Sequence, residues 1–557
     1  MHSLKPAGRG GTVNKYVSVA EMHAIEVEAD SKGISYAQMM VSAGEALARV
    51  IDHEYTNSKS QGALGLVGPG NNGGDTLVAL AWLAENGWTA SAFLMKPREV
   101  TDPLLVRLQL AGGMVYVNQQ QQEFRILRRL LQTHAVFIDG LLGTGTHLPL
   151  KPDAATLLSF IKDSIREDHP SIQIIAVDCP SGVDCDTGEA ASAAIPAHIT
   201  VTMAAIKHGL LKFPAYSLLG RLQVVDIGLP GAGESLDTWN AVKTFIPDST
   251  FIRNHLPKRA LDSHKGTFGT TIISAGCKQY PGAAFLAGKA AYLIGTGLVT
   301  MAVPTSVYSI LAGQFPEAIW LPLPEDQGFV ATEAARVLLP QLERASAFLI
   351  GPGFGLQKTS QEFLSLLFHG TIPGHIADRH FAGNFTEPII DRQNFPPVIV
   401  DADALKLVSK SDQWWKILPS QSILTPHPGE MSILTGLSKE EIQNARIQVA
   451  QKFSRIWDHV VVLKGAFTVI AHPDGSTAVI PVATPALARA GTGDVLAGLI
   501  AGLRAQGVEP FSAAILGAWI HAKAGIKAEN ILGNPSSVLA SDVLTAIPAV
   551  ISEVLQI

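Results

Sequence analysis

The sequence predicts two α/β domains, each built on a parallel sheet with helices on both faces. Three observations carry this. The chain has 557 residues, more than one hydrophobic core organises, so two domains are expected. Hydrophobic residues make up 47% of it and charged residues only 16%, the balance of strands buried on both sides. Short apolar runs bounded by glycine and proline alternate with helical stretches, which is the βαβα pattern of a parallel sheet. The aperiodic stretch Gly228-Leu-Pro-Gly-Ala-Gly-Glu-Ser235 reads as a linker. It divides the chain into domains at 1–230 and 236–557.

The elements follow in order. Ser18-Val-Ala-Glu21 is a capping box that opens a helix to about Asp30. A second helix runs from about Ser35 to His53, and Ala63–Val67 is a buried strand. Gly68-Pro-Gly-Asn-Asn-Gly-Gly-Asp75 follows as a loop before a helix from Thr76 to Asn86. Apolar strands are expected at Ala90–Met95, Ala135–Ile138, Ile172–Val177, His198–Thr202 and Leu222–Val225. The second series is Gly269–Ser274, Leu298–Val303, Ala347–Ile350, Val398–Val400, Ser422–Leu424 and Val460–Leu463. No internal repeat links the halves. Residues His369–Phe395 read as a surface insertion.

Composition excludes several classes. Net charge is -6 and no basic or basic-aromatic run occurs, which argues against a nucleic-acid partner. No segment has the length and apolarity of a membrane span, and the polar first residues hold no secretory signal. Cys179, Cys185 and Cys277 form neither a metal pattern nor a disulfide framework. A cytoplasmic enzyme is expected.

Gly68, Gly70 and Gly73 match the dinucleotide spacing between strand and helix, a weak signal by itself. The next strand ends in Lys96 and Pro97, where a redox NAD site would carry an acidic residue for the ribose. That use is rejected. The twin asparagines and Asp75 suit a polar ligand, although for the loop in isolation a tight turn with Asx hydrogen bonds is the better-supported reading. Two more strand ends are polar and glycine-rich, Asp139-Gly-Leu-Leu-Gly143-Thr-Gly145 and Asp178-Cys-Pro-Ser-Gly-Val-Asp184. Ligands of parallel α/β sheets bind at such ends. Asn72, Asp139 and Ser181 are hard oxygen donors with a single charge, which points to a monovalent cation rather than Mg2+ or Zn2+.

On these pieces, together with Thr200-Val-Thr202 leading to Lys207, residues from about Val17 to Pro230 resemble the YjeF N-terminal domain, the NAD(P)H-hydrate epimerase family. The resemblance implies a Rossmann-like three-layer fold that epimerises hydrated nicotinamide cofactors. It implies K+ on Asn72, Asp139 and Ser181. Substrate contacts would come from Asn71, Asn72, Gly73, Gly74, Asp75, Gly143, Thr144, Gly145, Thr146, His147, Leu148, Pro149 and the catalytic Asp178. One departure is Val41, where the family usually carries an acidic residue.

The second half places six polar motifs at successive strand ends. They include Tyr280-Pro-Gly-Ala-Ala284, Ile350-Gly-Pro-Gly-Phe-Gly355, Val400-Asp-Ala-Asp403, Leu424-Thr-Pro-His-Pro-Gly-Glu430 and Val462-Leu-Lys-Gly-Ala-Phe-Thr468. The series closes on Gly491-Thr-Gly-Asp494 before an apolar helix. A glycine loop entering a helix is an anion site. A carboxylate beside it can take a hydroxyl proton in phosphoryl transfer, or merely cap the helix.

From about Trp239 onward this pattern resembles the ribokinase-like fold, specifically the YjeF C-terminal, ADP/ATP-dependent NAD(P)H-hydrate dehydratases. The resemblance implies that Ala283, Gly353, His427 and the catalytic Asp494 contact the hydrated cofactor. Lys464, Gly465, Ala466, Phe467, Thr468, Gly491, Thr492 and Gly493 would hold ADP or ATP with Mg2+, ADP being favoured by the fused layout. The whole implies a homo-oligomeric repair enzyme for NADH and NADPH hydrates. The open alternative is a small-molecule alcohol kinase fused to a non-catalytic binding module.

Overall fold

The computed structural model describes residues 13–118, 123–229, 236–370 and 395–556. The chain forms two compact units, 1–248 and 249–557. This division falls later than the glycine-rich stretch suggests. Strand Thr244–Ile246 pairs antiparallel with Asn14–Val17, so the chain beyond the linker folds back onto the first unit. Most of the proposed linker and of the His369–Phe395 insertion lies outside the described residues.

The first unit holds a parallel sheet in the spatial order Met114–Val117, Ala90–Leu94, Ala63–Val67, Val136–Gly140, Gln173–Val177, Ile199–Met203, Arg221–Val225. Numbered along the chain, that is 3-2-1-4-5-6-7. Side chains alternate across the strands. Leu64, Leu66 and Phe137 pack with Leu157 and Ile161 on one face. Ala63, Val67 and Ile138 pack with Leu47, Ile51 and Leu80 on the other. The expected capping box forms at Ser18 with Glu21, and a second, at Ser35 with Gln38, opens the next helix. Val41, on the helix Tyr36–Tyr55, is exposed.

The second unit runs Ile319–Leu323, Leu298–Pro304, Thr270–Ser274, Ala347–Ile350, Val398–Val400, Ile423–Leu424, Val460–Leu463, all parallel. The short strands Val469–Ala471 and Thr477–Val479 continue it antiparallel. Its parallel strands repeat the order 3-2-1-4-5-6-7. The halves therefore share a topology that no repeat in the sequence discloses. In each, the order reverses between strands 1 and 4, and the crevice left there is the usual ligand site of such sheets.

Helix Thr492–Ala505 crosses helix Pro281–Leu293 at backbone contact distance. A Cβ at Gly498 would lie 2.1 Å from the Ala287 carbonyl oxygen. Neither backbone can give way inside a packed core. Gly498→Val is expected to destabilise the second unit by about 2–3 kcal/mol, read from the denaturant midpoint of its unfolding transition, and to lower activity at Asp494 on the same helix.

Candidate active sites

In the first unit, the helix Asn71–Glu85 begins one residue after the turn Gly68–Gly70. Asn72, Gly73, Gly74 and Asp75 thus occupy its opening turns, not the loop their glycine content suggests. Glycine is required where backbones touch: a Cβ at Gly73 would lie 2.0 Å from the Gly68 carbonyl oxygen. The Asn72 amide nitrogen donates to the carbonyls of Leu142 (3.0 Å) and Val177 (2.6 Å). This turns Oδ1 toward Gly143, where a Cβ would meet it at 2.3 Å.

Asp139, inside the end of strand Val136–Gly140, is 1% exposed. Its oxygens accept from the Ser181 hydroxyl (2.6 Å) and backbone N–H (2.9 Å). Burial raises its proton affinity, and the Ser181 hydrogen bonds oppose that. The Ser181 hydroxyl in turn accepts from the Leu142 N–H at 2.9 Å. The three residues expected to hold a cation therefore meet around Leu142, one from a helix, one from a strand and one from a loop. In the turn Gly143–Pro149, both the N–H and the hydroxyl of Thr146 donate to the Gly143 carbonyl at 3.0 and 2.7 Å. Thr146 is buried there, whereas Gly145, His147 and Pro149 are exposed.

Asp178 follows its strand with φ +63°, a conformation Asp tolerates better than most side chains. Its Oδ1 accepts from the Thr202 hydroxyl (2.9 Å), the Met203 N–H (3.0 Å) and the Lys207 ammonium. Lys207 is 1% exposed, so its charge is matched almost wholly by Asp178. Burial drives the proton affinity of Asp75 well up, and the charges of Asp178 and Glu26 push the same way. Glu26, on the first helix, is itself raised by burial. Sequence reasoning missed it: one acidic residue on an amphipathic helix carries no local signal. The Asp178–Lys207 pairing was equally hidden, although both residues stood in quoted motifs.

In the second unit, a cavity of about 630 Å³ is lined by Asp401, His427, Glu430, Lys464–Ala466, Thr468, Gly491–Asp494 and His521, among others. Gly491, at φ +89°, caps helix Thr492–Ala505 with no side-chain hydrogen bond; the Thr492 N–H donates to the Arg489 carbonyl at 3.4 Å, which leaves those of Gly493 and Asp494 for a ligand. Asp494 is the third residue of that helix rather than part of a loop. Burial and the nearby Asp401 carboxylate raise its pKa to about 7, against the pull of Lys464. Asp401, 1% exposed, accepts from the Thr425 hydroxyl (2.6 Å) and Lys464 (2.7 Å). Burial works against the Lys464 charge, but Asp401 and Glu430 outweigh it and raise the pKa.

His427 forms a capping box. Its Nδ1 accepts from the N–H groups of Gly429 and Glu430 (3.0 and 3.2 Å), while Glu430 accepts from its backbone N–H at 2.9 Å. The ring is therefore neutral at Nδ1, in line with the lowering of its pKa by burial. Arg446 holds the Lys464–Thr468 turn through the Leu463 and Lys464 carbonyls (2.8 and 3.3 Å). Ala283 and Gly353 meet at the switch point, where a Cβ on Gly353 would stand 2.7 Å from that of Ala283. They are not among the residues lining the 630 Å³ cavity. Asp401, Glu430, Arg446 and His521 had no assigned role from sequence. Two of them lay inside quoted strand-end motifs, a usable signal. Among the described residues no cluster of three or more His, Cys, Asp or Glu has the geometry for a metal ion, and no helix is long and apolar enough to cross a membrane.

Two Rossmann-type sheets, each with buried carboxylates and a lysine at its switch-point end, define a two-site α/β enzyme. Comparison with known proteins narrows this. The family described as NAD(P)H-hydrate dehydratase matches residues 271–549 and the YjeF-related protein N-terminus matches 36–209. A bifunctional NAD(P)H-hydrate repair enzyme of Moorella thermoacetica is 33% identical over 96% of this chain and 96% of its own length. That of Salinibacter ruber is 32% identical over 94% and 93%. An ADP/ATP-dependent NAD(P)H-hydrate dehydratase from Bacillus subtilis, co-crystallised with ATP/Mg2+, is 28% identical and covers 56% of this chain and 98% of its own, with a TM-score of 0.43. The chain belongs to the bifunctional NAD(P)H-hydrate repair enzyme family.

A base must be unprotonated to accept a proton, and the raised pKa of about 7 at Asp494 sets where such a role would switch on. Dehydration measured as kcat/KM is expected to rise with pH through that value and level off above it. Asp494→Asn is expected to lose this inflection and about 10²–10⁴-fold in rate, while still binding nucleotide.

Proposed function

We propose that the chain repairs hydrated NADH and NADPH in two steps, epimerising the hydrate in the first unit and dehydrating the S form in the second. The observation that carries the reading is Asp494, whose raised proton affinity sits beside an uncapped helix N-terminus. Asp494 takes the proton of the C6 hydroxyl. The oxygen then attacks the terminal phosphoryl group of ADP or ATP, and the shorter nucleotide leaves. The N–H groups of Gly493 and Asp494 and the Lys464 ammonium stabilise the charge that develops. The C6–O bond next breaks as phosphate departs, pushed by the ring nitrogen, and loss of a C5 proton restores the dihydropyridine. Asp401 and Glu430 are the hard oxygen donors that would hold Mg2+, which offsets phosphate charge.

In the first unit, Asp178 is ion-paired with the buried Lys207, while burial drives the proton affinity of Asp75 well up. An acid and a base side by side can remove and return the C6 hydroxyl on opposite ring faces. Asn72, Asp139 and Ser181 would hold K+, an ion that positions substrate. As oxygen donors they carry one charge between them, which suits a weakly hydrated ion better than Mg2+.

The test is a mixture of R and S NADH hydrate given ADP or ATP, following dihydronicotinamide absorbance. Complete recovery is expected. Recovery that stops when the S form is consumed would make the first unit a binding module, and a stable phosphorylated product would make the second a kinase.

For the cation, Asp139→Ala is expected to abolish K+-dependent epimerisation and leave dehydration of pure S substrate unchanged. A purely structural Asp139 would instead cost about 1 kcal/mol of stability, as a lost cap does, and spare epimerisation.

A further inference from the structure

A second cleft in the first unit, about 550 Å³, is not used by either site described above. It is lined by Pro69, Lys96, Arg98, Glu99, Thr101 and Asp102, together with neighbouring prolines. It opens where strand Ala90–Leu94 ends, beside the turn Gly68–Gly70 that leads into helix Asn71–Glu85. In a 3-2-1-4 sheet this is where the adenosine ribose of a dinucleotide lies, with its pyrophosphate at the helix start. That start is open: the N-cap Gly70 has no side-chain cap, and a Cβ placed on it would meet nothing within 4 Å.

The charged side chains around the cleft are two cations and two carboxylates, and the cations decide its character. Lys96 is exposed and makes no ion pair among the described residues. Arg98 is fixed in place, donating to the Gly68 carbonyl (3.1 Å) and to Asp102 (3.0 Å). Asp102 is spent twice over, since its other oxygen caps helix Pro103–Leu110 through the Leu104 N–H at 2.9 Å. Arg98 thus ties the second strand's loop to the glycine turn and holds a guanidinium at the cleft wall. A planar guanidinium and a free ammonium together suit a phosphate monoester. Glu99 is the one uncommitted carboxylate, and it opposes such a ligand.

We propose that this cleft binds the 2′-phosphorylated adenosine end of NADPH hydrate, with Lys96 and Arg98 on the 2′-phosphate, and so makes the epimerase half favour the phosphorylated substrate. The proposal rests on the epimerase reading of the neighbouring pocket.

The full-length protein is assayed without nucleotide, so that dehydration is silent, following R-to-S conversion of NADPH and NADH hydrates. Lys96→Ala is expected to raise KM for NADPH hydrate by about tenfold, the usual loss for a hydrogen bond to a charged group, with kcat and the NADH hydrate values within twofold. Glu99→Gln is expected to lower KM for NADPH hydrate alone. Equal effects on both substrates, or none, would overturn the proposal while leaving the epimerase reading intact. Weaker use of NADH hydrate by Glu99→Gln would also overturn it, by making Glu99 a ribose ligand. A wild-type protein that epimerises neither hydrate would sink the epimerase reading. The cleft is then decided by calorimetry with adenosine 2′,5′-bisphosphate against 5′-AMP. Loss of 2′-phosphate-dependent binding in Lys96→Ala supports the site, and unchanged binding overturns it.

Discussion

A parallel sheet covered by helices on both faces has no room for polar groups along its strands. Every carboxylate, amide and lysine that does chemistry must collect where strands end, and the crevice between diverging crossovers is where they can reach one ligand. Both units obey this constraint. Asp139, Asp178, Asp401 and Asp494 all lie at strand ends or at the helix starts that follow them. The buried strands supply rigidity, and the glycine turns supply close approach of backbone to ligand.

The two sites also solve the same electrostatic problem alike. Each pairs one buried aspartate with a lysine, Asp178 with Lys207 and Asp401 with Lys464. Each sets a second aspartate close by whose proton affinity is raised by burial and by the first, Asp75 in one and Asp494 in the other. The lysine gives one carboxylate a cationic partner. The desolvated neighbour carries the raised proton affinity. Separating the proton affinities of two carboxylates is how a site runs acid and base steps at one pH.

Much of this was legible in the sequence. The strand-end motifs, the Ser18–Glu21 capping box and the Gly491–Asp494 helix entry announce themselves locally. What stayed hidden depends on distance along the chain. Lys207 and Asp178 are 29 residues apart, and Lys464 and Asp401 are 63 apart, so their pairing is a property of the fold. The early start of helix Asn71–Glu85 runs against the poor helix propensity of two asparagines and two glycines. Packing against the sheet overrides it. Strands Met114–Val117, Val469–Ala471 and Thr477–Val479 are too short to show a period. The Ala283–Gly353 contact reached the switch point but not the cavity lining, a distinction that motif order alone does not make.

The strand Asn14–Val17 lies between two others. It pairs antiparallel with Thr244–Ile246 and parallel with Ile206–Lys207, Val17 standing opposite Lys207. The first and last segments of the unit are therefore stitched together beside the lysine that balances Asp178. That pairing is a seal between the two ends of the unit, and it places the unit's boundary at Asp248. A junction drawn at the glycine-rich stretch would leave the seal behind on the wrong piece.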